Sequence, residues 1–150
     1  MHLITVQRAV AKNEMPAATQ LKQWAKEVLK SKTPDVEMTI RIVTVAEMTE
    51  LNTQYRHKTG ATNVLSFPYD MPVGLDDGPV LLGDIVICAN IVQQEAAAQG
   101  KPVIAHWAHM VVHGTLHLLG YDHETPADAD IMESLEKMIL KKLGFSDPYQ

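Results

Sequence analysis

The pattern of hydrophobic positions along the chain predicts four short strands. Three segments alternate between apolar and polar residues or are rich in β-branched side chains, as strands with one buried face are. A fourth segment, LLGDIVICA, is almost continuously apolar, which is typical of a central strand that is covered on both faces. The four segments are residues 3–7, 38–45, 63–67 and 81–89.

Helical spacing and start signals predict five helices. Pro16 opens the first, Thr44 begins a capping-box pattern before the second, and Pro102 starts the fourth. The third, NIVQQEAAAQ, is closed by a glycine, and Thr125 with Pro126 marks the start of the last. The residues predicted to face inward are Met48, Leu51 and Tyr55 in the second helix, and Ile131, Leu135, Met138 and Ile139 in the last.

These elements follow one another in the order βαβαββααα, and no segment between them has the composition of a domain linker. A chain of 150 residues can bury one hydrophobic core. We therefore predict a single α+β domain over residues 1–150, with a small, four-stranded mixed sheet that is partly parallel through helical crossovers. Residues 69–80, YDMPVGLDDGPV, are predicted to form an acidic loop whose role as lid, partner site or spacer stays open.

Composition favours a cytoplasmic protein. The start of the chain, MHLITVQRAV, lacks the pattern of a signal peptide, and the single Cys88 cannot form an internal disulfide. Residues 103–121 contain no Asp, Glu, Lys or Arg, but four histidines and a central glycine argue against a membrane span. No membrane partner is expected.

The charge distribution leaves room for an anionic partner. A net charge of −5 disfavours nucleic acid when it is taken alone, because phosphate binding depends on Lys and Arg. However, residues 1–58 carry nine Lys or Arg against six acids, whereas residues 59–136 carry one against eleven. Such an uneven distribution allows one face to contact phosphates while the rest of the surface stays acidic.

The segment 113–123, HGTLHLLGYDH, has the spacing of a metal site. His113 and His117 are four residues apart, so on a helix they project from one face about 6 Å apart. Gly120 can end that helix in a left-handed conformation and return the chain, so that His123 reaches the same ion. Three histidine ligands with an open fourth position are typical of catalytic zinc.

Two further residues close to this segment, His109 and Asp122, each have two possible roles. His109 shares the helix face, but a straight helix spreads His109, His113 and His117 over about 12 Å, too far for one tetrahedral ion. His123 is therefore the preferred third ligand, and His109 is expected either to support a ligand or to lie in the core. Asp122 can orient a ligand imidazole or cap the turn, and both roles stay open.

The same histidine spacing occurs in metzincin proteases, where a glutamate follows the first histidine and acts as the general base. Gly114 stands at that position here. Without the carboxylate, peptide hydrolysis loses its base. A metallopeptidase is therefore the third of our hypotheses.

Three segments resemble the YbeY family of bacterial endoribonucleases: HGTLHLLGYDH, YRHKTGATNVLSFP at 55–68 and LLGDIVIC at 81–88. The resemblance implies an α+β fold and one zinc ion per chain on His113, His117 and His123. It also implies a metal-dependent enzyme specific for single-stranded RNA, with Arg56 and His113 as catalytic residues. The implied role is 16S rRNA 3′ end maturation and ribosome quality control. Before VLSFP the family usually has Pro, Thr and Asp, whereas this chain has Ala61, Thr62 and Asn63, so it departs from the pattern at residues 61 and 63.

Phosphodiester cleavage requires an activated nucleophile and positive charge near the phosphate. Zinc can supply both, since it lowers the pKa of bound water to about 7 and acts as a Lewis acid. Arg56 adds a planar donor for phosphate oxygens, and Arg41 and Lys58 are predicted to extend the RNA-binding surface. The general base stays open.

The expected partners are single-stranded RNA, in particular a precursor of ribosomal RNA, and not DNA. Aromatic residues make up only 5% of the chain and form no stacking series, so recognition through the RNA backbone is expected. Specificity would then come from a small-subunit or assembly protein of the ribosome. The second hypothesis is a ribosome-assembly binding protein with a structural zinc, whose fourth ligand could only be His109 or Asp122.

Overall fold

The four predicted strands form one mixed sheet. A computed structural model of the chain describes residues 2–11, 15–30, 35–69 and 80–149, so most of the predicted acidic loop lies outside the described residues. The sheet has the order β1-β2-β4-β3; β1, β2 and β4 are parallel, and β3 pairs with β4 in the antiparallel direction. The strands are β1 (Leu3–Arg8), β2 (Val36–Val43), β3 (Val64–Pro68) and β4 (Val80–Cys88).

In the described part of the chain, five helices complete the predicted order βαβαββααα, which is thereby confirmed, as is the α+β class. Helix α1 connects β1 to β2, and α2 with β3 connects β2 to β4, so the parallel pairs are joined by crossovers as expected. No helix within the described ranges is long and apolar enough to span a membrane. The helices are α1 (Ala18–Leu29), α2 (Val45–Arg56), α3 (Ala89–Gln99), α4 (Val103–Leu118) and α5 (Pro126–Lys142).

The two faces of the sheet are covered by different helices. Ile85 and Ile87 of β4 belong to the main core, which also contains buried residues of α1, α4 and α5. Val86 and Cys88 point to the opposite face, where they pack with Met48 of α2. β4 is therefore covered on both sides, as its continuous apolar sequence predicts.

The predicted inward faces of two helices need correction. Tyr55 of α2 is 57% exposed, and Ile131 and Met138 of α5 are 55% and 49% exposed. Ile139 of α5 is buried as predicted, and the buried face also includes Met132, Glu136 and Leu140. The apolar pattern predicted the wrong rotation of α5 about its own axis, because the buried face of this helix contains a charged residue, Glu136.

Candidate functional site

The end of α4 brings three histidines together. Gly120, with φ +102°, donates its N–H to the His117 carbonyl at 3.0 Å, and Tyr121 donates to the Leu116 carbonyl at 3.1 Å. These two bonds form a Schellman motif, in which a left-handed residue reverses the chain. As a result the His123 ring lies 5.5 Å from that of His113 and 5.1 Å from that of His117, measured between centroids.

This cluster fits a metal ion. Each of the three histidines offers a ring nitrogen, and these nitrogens lie within 4.8 Å of one another. Burial lowers the pKa of His117, and the positive charges of His113 and His123 lower it further. A lowered pKa favours the neutral imidazole, which is the form that binds a metal. The donor set, three imidazoles and no thiolate, is the set found in catalytic zinc sites.

A buried carboxylate lies beneath His113. Glu136 of α5 is only 1% exposed. Its Oε2 accepts a hydrogen bond from His109 Nε2 at 2.6 Å and a second from His113 Nδ1 at 3.2 Å. Its Oε1 accepts one from the Tyr149 hydroxyl at 2.8 Å. The carboxylate thus connects a predicted metal ligand to two further side chains.

This network controls the charge of Glu136. Burial alone raises the pKa of the carboxyl, but the hydrogen bonds and positive charges of His109 and His113 outweigh it and bring the pKa from 4.5 to about 2. Burial, together with the nearby Glu136 charge, raises the pKa of the Tyr149 hydroxyl well above its usual range. Glu136 is therefore an anion and Tyr149 a neutral donor at neutral pH.

Glu136 and Tyr149 were absent from the predicted site. One feature of the sequence could have indicated that Glu136 is buried. It lies four residues from both Met132 and Leu140, which are buried on the same face of α5. Nothing in the local pattern around Tyr149 indicates a contact with α5.

His109 forms a hydrogen bond with Glu136, and its ring packs edge to face on that of His113, with 6.1 Å between centroids. His109, His113 and Glu136 form a second group of possible ligands whose atoms lie within 4.8 Å of one another. The 2.6 Å separation of His109 Nε2 and Glu136 Oε2 is a hydrogen-bond distance. Two ligands of one tetrahedral zinc at about 2.0–2.1 Å are more than 3 Å apart, so this pair leaves no space for an ion.

Asp122 closes the turn after α4. Its Oδ1 accepts the backbone N–H of His123 at 2.7 Å. The side chain also borders the cavity described below. Of its two predicted roles, the contact with the turn is the one that the structure shows.

A cavity of about 470 Å³ joins the histidines to basic residues of a distant segment. Its lining includes Arg56 and Lys58 together with His113, His117 and His123. The segment 62–66, which leads into β3, also lines the cavity. Two of the three predicted RNA-binding residues thus share one cavity with all three predicted metal ligands.

The end of α2 positions Arg56. His57, at φ +56°, is left-handed and caps the helix. The carbonyl of Asn52 accepts the N–H groups of His57 and Lys58, and its side-chain amide donates to the Gly60 carbonyl at 3.0 Å. This turn places Arg56 and Lys58 on the cavity wall.

Arg41 lies elsewhere. Its Nε and Nη2 donate to the two carboxylate oxygens of Glu47 at 2.7 and 2.9 Å. It is not among the residues that line the cavity. The structure therefore separates Arg41 from Arg56 and Lys58.

Gly114 leaves little space for a side chain. A Cβ at this position would lie 3.0 Å from Ile85 Cγ2 and 3.3 Å from Val64 Cγ2. Its carbonyl accepts a hydrogen bond from Ser66 Oγ at 3.1 Å. The residue that carries the general base in metzincins thus faces the sheet here, and a glutamate does not fit.

Comparisons with known proteins identify the family to which the chain is similar. The model of a family described as Endoribonuclease YbeY matches residues 6–144. A protein of that name from Pseudomonas fluorescens is 53% identical over 146 residues, which are 97% of this chain and 95% of that protein. One from Pseudomonas putida is 56% identical over 134 residues, or 89% and 85% of the two chains.

A solved structure resembles the fold. The solution structure of TM1509 from Thermotoga maritima has a TM-score of 0.60 and 25% sequence identity, and the match covers 99% of both chains. Together the comparisons confirm the resemblance that the three sequence segments indicated.

Proposed function

The chain belongs to the endoribonuclease YbeY family, and on that premise we propose that it is a zinc-dependent enzyme that cleaves single-stranded RNA. Membership makes it an endoribonuclease. The zinc dependence, the preference for single strands, the cytoplasmic location and the role in 16S rRNA 3′ end maturation and ribosome quality control are our proposal. The observation that carries it is the cavity shared by three imidazoles and two basic side chains.

His113, His117 and His123 would hold one zinc ion per chain. Bound there, zinc would supply Lewis-acid chemistry toward a phosphodiester and activate water for attack. The side chains themselves contribute geometry. With its Nδ1–H donating to Glu136, His113 keeps Nε2 free as a ligand.

Arg56 is proposed to bind the phosphate that is cleaved. A guanidinium donates two parallel N–H groups to phosphate oxygens, and it stays charged at any physiological pH. Among the described residues no carboxylate forms an ion pair with Arg56, in contrast to Arg41, which is paired with Glu47. Lys58, which lines the same cavity, would contact a neighbouring phosphate.

The cavity supports recognition of the RNA backbone. Among the described residues that line it there is no Phe, Tyr or Trp that could form a stacking platform for bases. Choice of the cleavage position would therefore rest on a small-subunit or assembly protein of the ribosome. The products report the nucleophile: a 2′,3′-cyclic phosphate indicates attack by the substrate's 2′-hydroxyl, and a 5′-phosphate indicates attack by water.

The structural-zinc hypothesis requires a fourth protein ligand. Its two candidates were His109 and Asp122. His109 is bonded to Glu136, and Asp122 accepts the N–H of His123. Neither contact favours a closed four-ligand site, and this supports an open position.

The test combines metal content with RNA cleavage. We expect one zinc per wild-type chain and loss of bound zinc in His113→Ala. We expect Arg56→Ala to retain zinc and to lower kcat/KM for a single-stranded RNA by about 10²- to 10³-fold, because a preorganised donor to the phosphate is lost.

Arg8→Ala, an exposed arginine outside the cavity, is the matched control and should cleave as the wild type does. Arg41→Ala tests the third predicted RNA-binding residue, and we expect a smaller loss than for Arg56→Ala. Full cleavage by purified Arg56→Ala and His113→Ala would refute the proposed function.

A further inference from the structure

We infer that Glu136 and Tyr149 are positioning residues of the metal centre, so that the segment after α5 helps to hold His113 in its ligand orientation. The inference rests on the proposed function, because it takes His113 as a zinc ligand. It adds two residues that the histidine motif does not contain.

The first step is the contact between Glu136 and His113. Both oxygens of this buried carboxylate have donors, and the one that faces α4 accepts from His109 and His113 together. A carboxylate that accepts Nδ1–H fixes the tautomer and the ring rotation of an imidazole and raises the basicity of the opposite nitrogen. Glu136 therefore aims Nε2 of His113 at the cluster.

The second step is the contact between Tyr149 and Glu136. The hydroxyl donates to Oε1 at 2.8 Å, the carboxylate oxygen that the imidazoles do not contact, and it also lies 3.4 Å from His109 Nε2. A carboxylate held at both oxygens cannot rotate about its terminal bond without breaking a hydrogen bond. Tyr149 thus fixes the plane of Glu136.

The third step is the attachment of Tyr149 itself. Its ring packs edge to face on His109 at 5.4 Å, and the Lys137 ammonium lies 5.9 Å from the ring centroid. Lys101 of the α3–α4 connection donates to the Pro148 carbonyl, and the N–H of Tyr149 donates to Asp147 Oδ1. Contacts from α4, α5 and the connection before α4 thereby hold the tyrosine over Glu136.

A second carboxylate, which is also hydrogen-bonded to a histidine of α4, provides the comparison. Glu95 accepts a hydrogen bond from His106 Nε2 at 2.8 Å, so this pair resembles Glu136 and His109 in chemistry. His106, however, is not part of the three-histidine cluster. A purely structural role for such pairs would make Glu95 and Glu136 equivalent with respect to zinc.

The experiment measures the zinc dissociation constant by competition with a chelator, and the thermal midpoint of the metal-free protein. We expect Glu136→Gln to weaken zinc binding by about tenfold to hundredfold, the usual effect of losing such a partner. We expect Tyr149→Phe to weaken it by about threefold to fivefold, since one hydrogen bond is lost and acts through the carboxylate. The cobalt-loaded forms should show altered visible absorption in both variants.

Glu95→Gln and Tyr69→Phe are the matched controls. Tyr69 also donates its hydroxyl to a carboxylate, Asp84, at 3.2 Å, but neither residue contacts the cluster. Both controls should bind zinc within a factor of about two of the wild type, as expected for sites that share no partner with the ligands.

The outcomes separate the two proposals. If Tyr149→Phe and Glu136→Gln bind zinc as the wild type does, or change only the thermal midpoint, the inference is wrong while the proposed function stands. If Glu136→Gln does not fold, Tyr149→Phe decides alone, because it removes a single oxygen from a side chain that is 46% exposed. If the wild type binds no zinc, the proposed function itself fails.

Discussion

Gly114 determines which chemistry fits beside the three histidines. It follows the first predicted ligand, and its Cα faces Ile85 of the central strand and Val64 of β3. Ile85 is fully buried and β-branched, so it cannot easily move away from a new side chain. The same close approach of α4 to the sheet lets the Gly114 carbonyl accept a hydrogen bond from the hydroxyl of Ser66, which lines the cavity.

We expect Gly114→Ala to lower the free energy of unfolding by about 1 kcal/mol, since overpacking costs more than the improved helix propensity returns. Gly114→Glu should lower it by more than about 3 kcal/mol, because it also buries a carboxylate without a partner. Urea denaturation followed by circular dichroism measures both.

Ala98→Glu on the exposed side of α3 is the control for adding a glutamate to a helix, and it should be close to neutral. A Gly114→Ala protein more stable than the wild type would contradict the packing that we describe.

Residues close in sequence were the predictable part of the site. His113, His117, Gly120 and His123 lie within eleven positions, and helix geometry with one left-handed turn is enough to bring the imidazoles together. Glu136 and Tyr149 could not be predicted in this way. Their contacts depend on the rotation of α5 against α4, which no local rule determines.

At the scale of elements, the end of α2 carries the basic side of the cavity. His57 adopts a left-handed conformation there, which costs a residue with a Cβ about 1–2 kcal/mol. The strained turn places Arg56 and Lys58 in the lining of the cavity that the three histidines share.

We expect His57→Gly to raise the free energy of unfolding by about 0.5 kcal/mol, because glycine relieves this strain but gains entropy in the unfolded chain. Thermal and urea denaturation give the value. Lys58→Gly, at a position without positive φ, should instead be destabilising. A loss of stability in His57→Gly would mean that the imidazole contributes more than its backbone conformation costs.

Element order was predictable from hydrophobic periodicity, whereas helix rotation was predictable only in part. Met48 of α2 is buried as predicted, but Tyr55 on the same predicted face is exposed. On α5 the apolar residues Ile131 and Met138 were predicted to be buried but are exposed, whereas the charged Glu136 lies on the buried face. Periodicity counts apolar side chains, and it fails where burial of a charge is stabilised by specific hydrogen bonds.

At the scale of the whole molecule, the basic surface of the cavity is small and the net charge is −5. The shared cavity of Arg56 and the three histidines likewise depends on the fold of the whole chain. It requires β3 to pair antiparallel with β4 at the edge of the sheet, and the sequence did not reveal this pairing.

We expect a shallow salt dependence of RNA binding. If Arg56 and Lys58 each neutralise one phosphate, the slope of log K against log salt is about −1.4 for single-stranded RNA. Fluorescence anisotropy with a labelled oligonucleotide and the His117→Ala protein, which we expect not to cleave, measures it.

Arg56→Ala in the same background should make this slope shallower by about 0.7. A slope steeper than about −3 would contradict the prediction, because it would require phosphate contacts well beyond the two basic residues of the cavity.

The position of the Schellman turn also bears on when the metal can be acquired. Domains can begin to fold during synthesis, which proceeds from the N-terminus. His113, His117 and His123 precede Glu136 and Tyr149 in the chain and therefore leave the ribosome before them. On the proposed function, the local turn alone would bring the three zinc ligands together first. The fixed orientation of His113, in contrast, must wait until the residues after α5 have emerged and packed on α4.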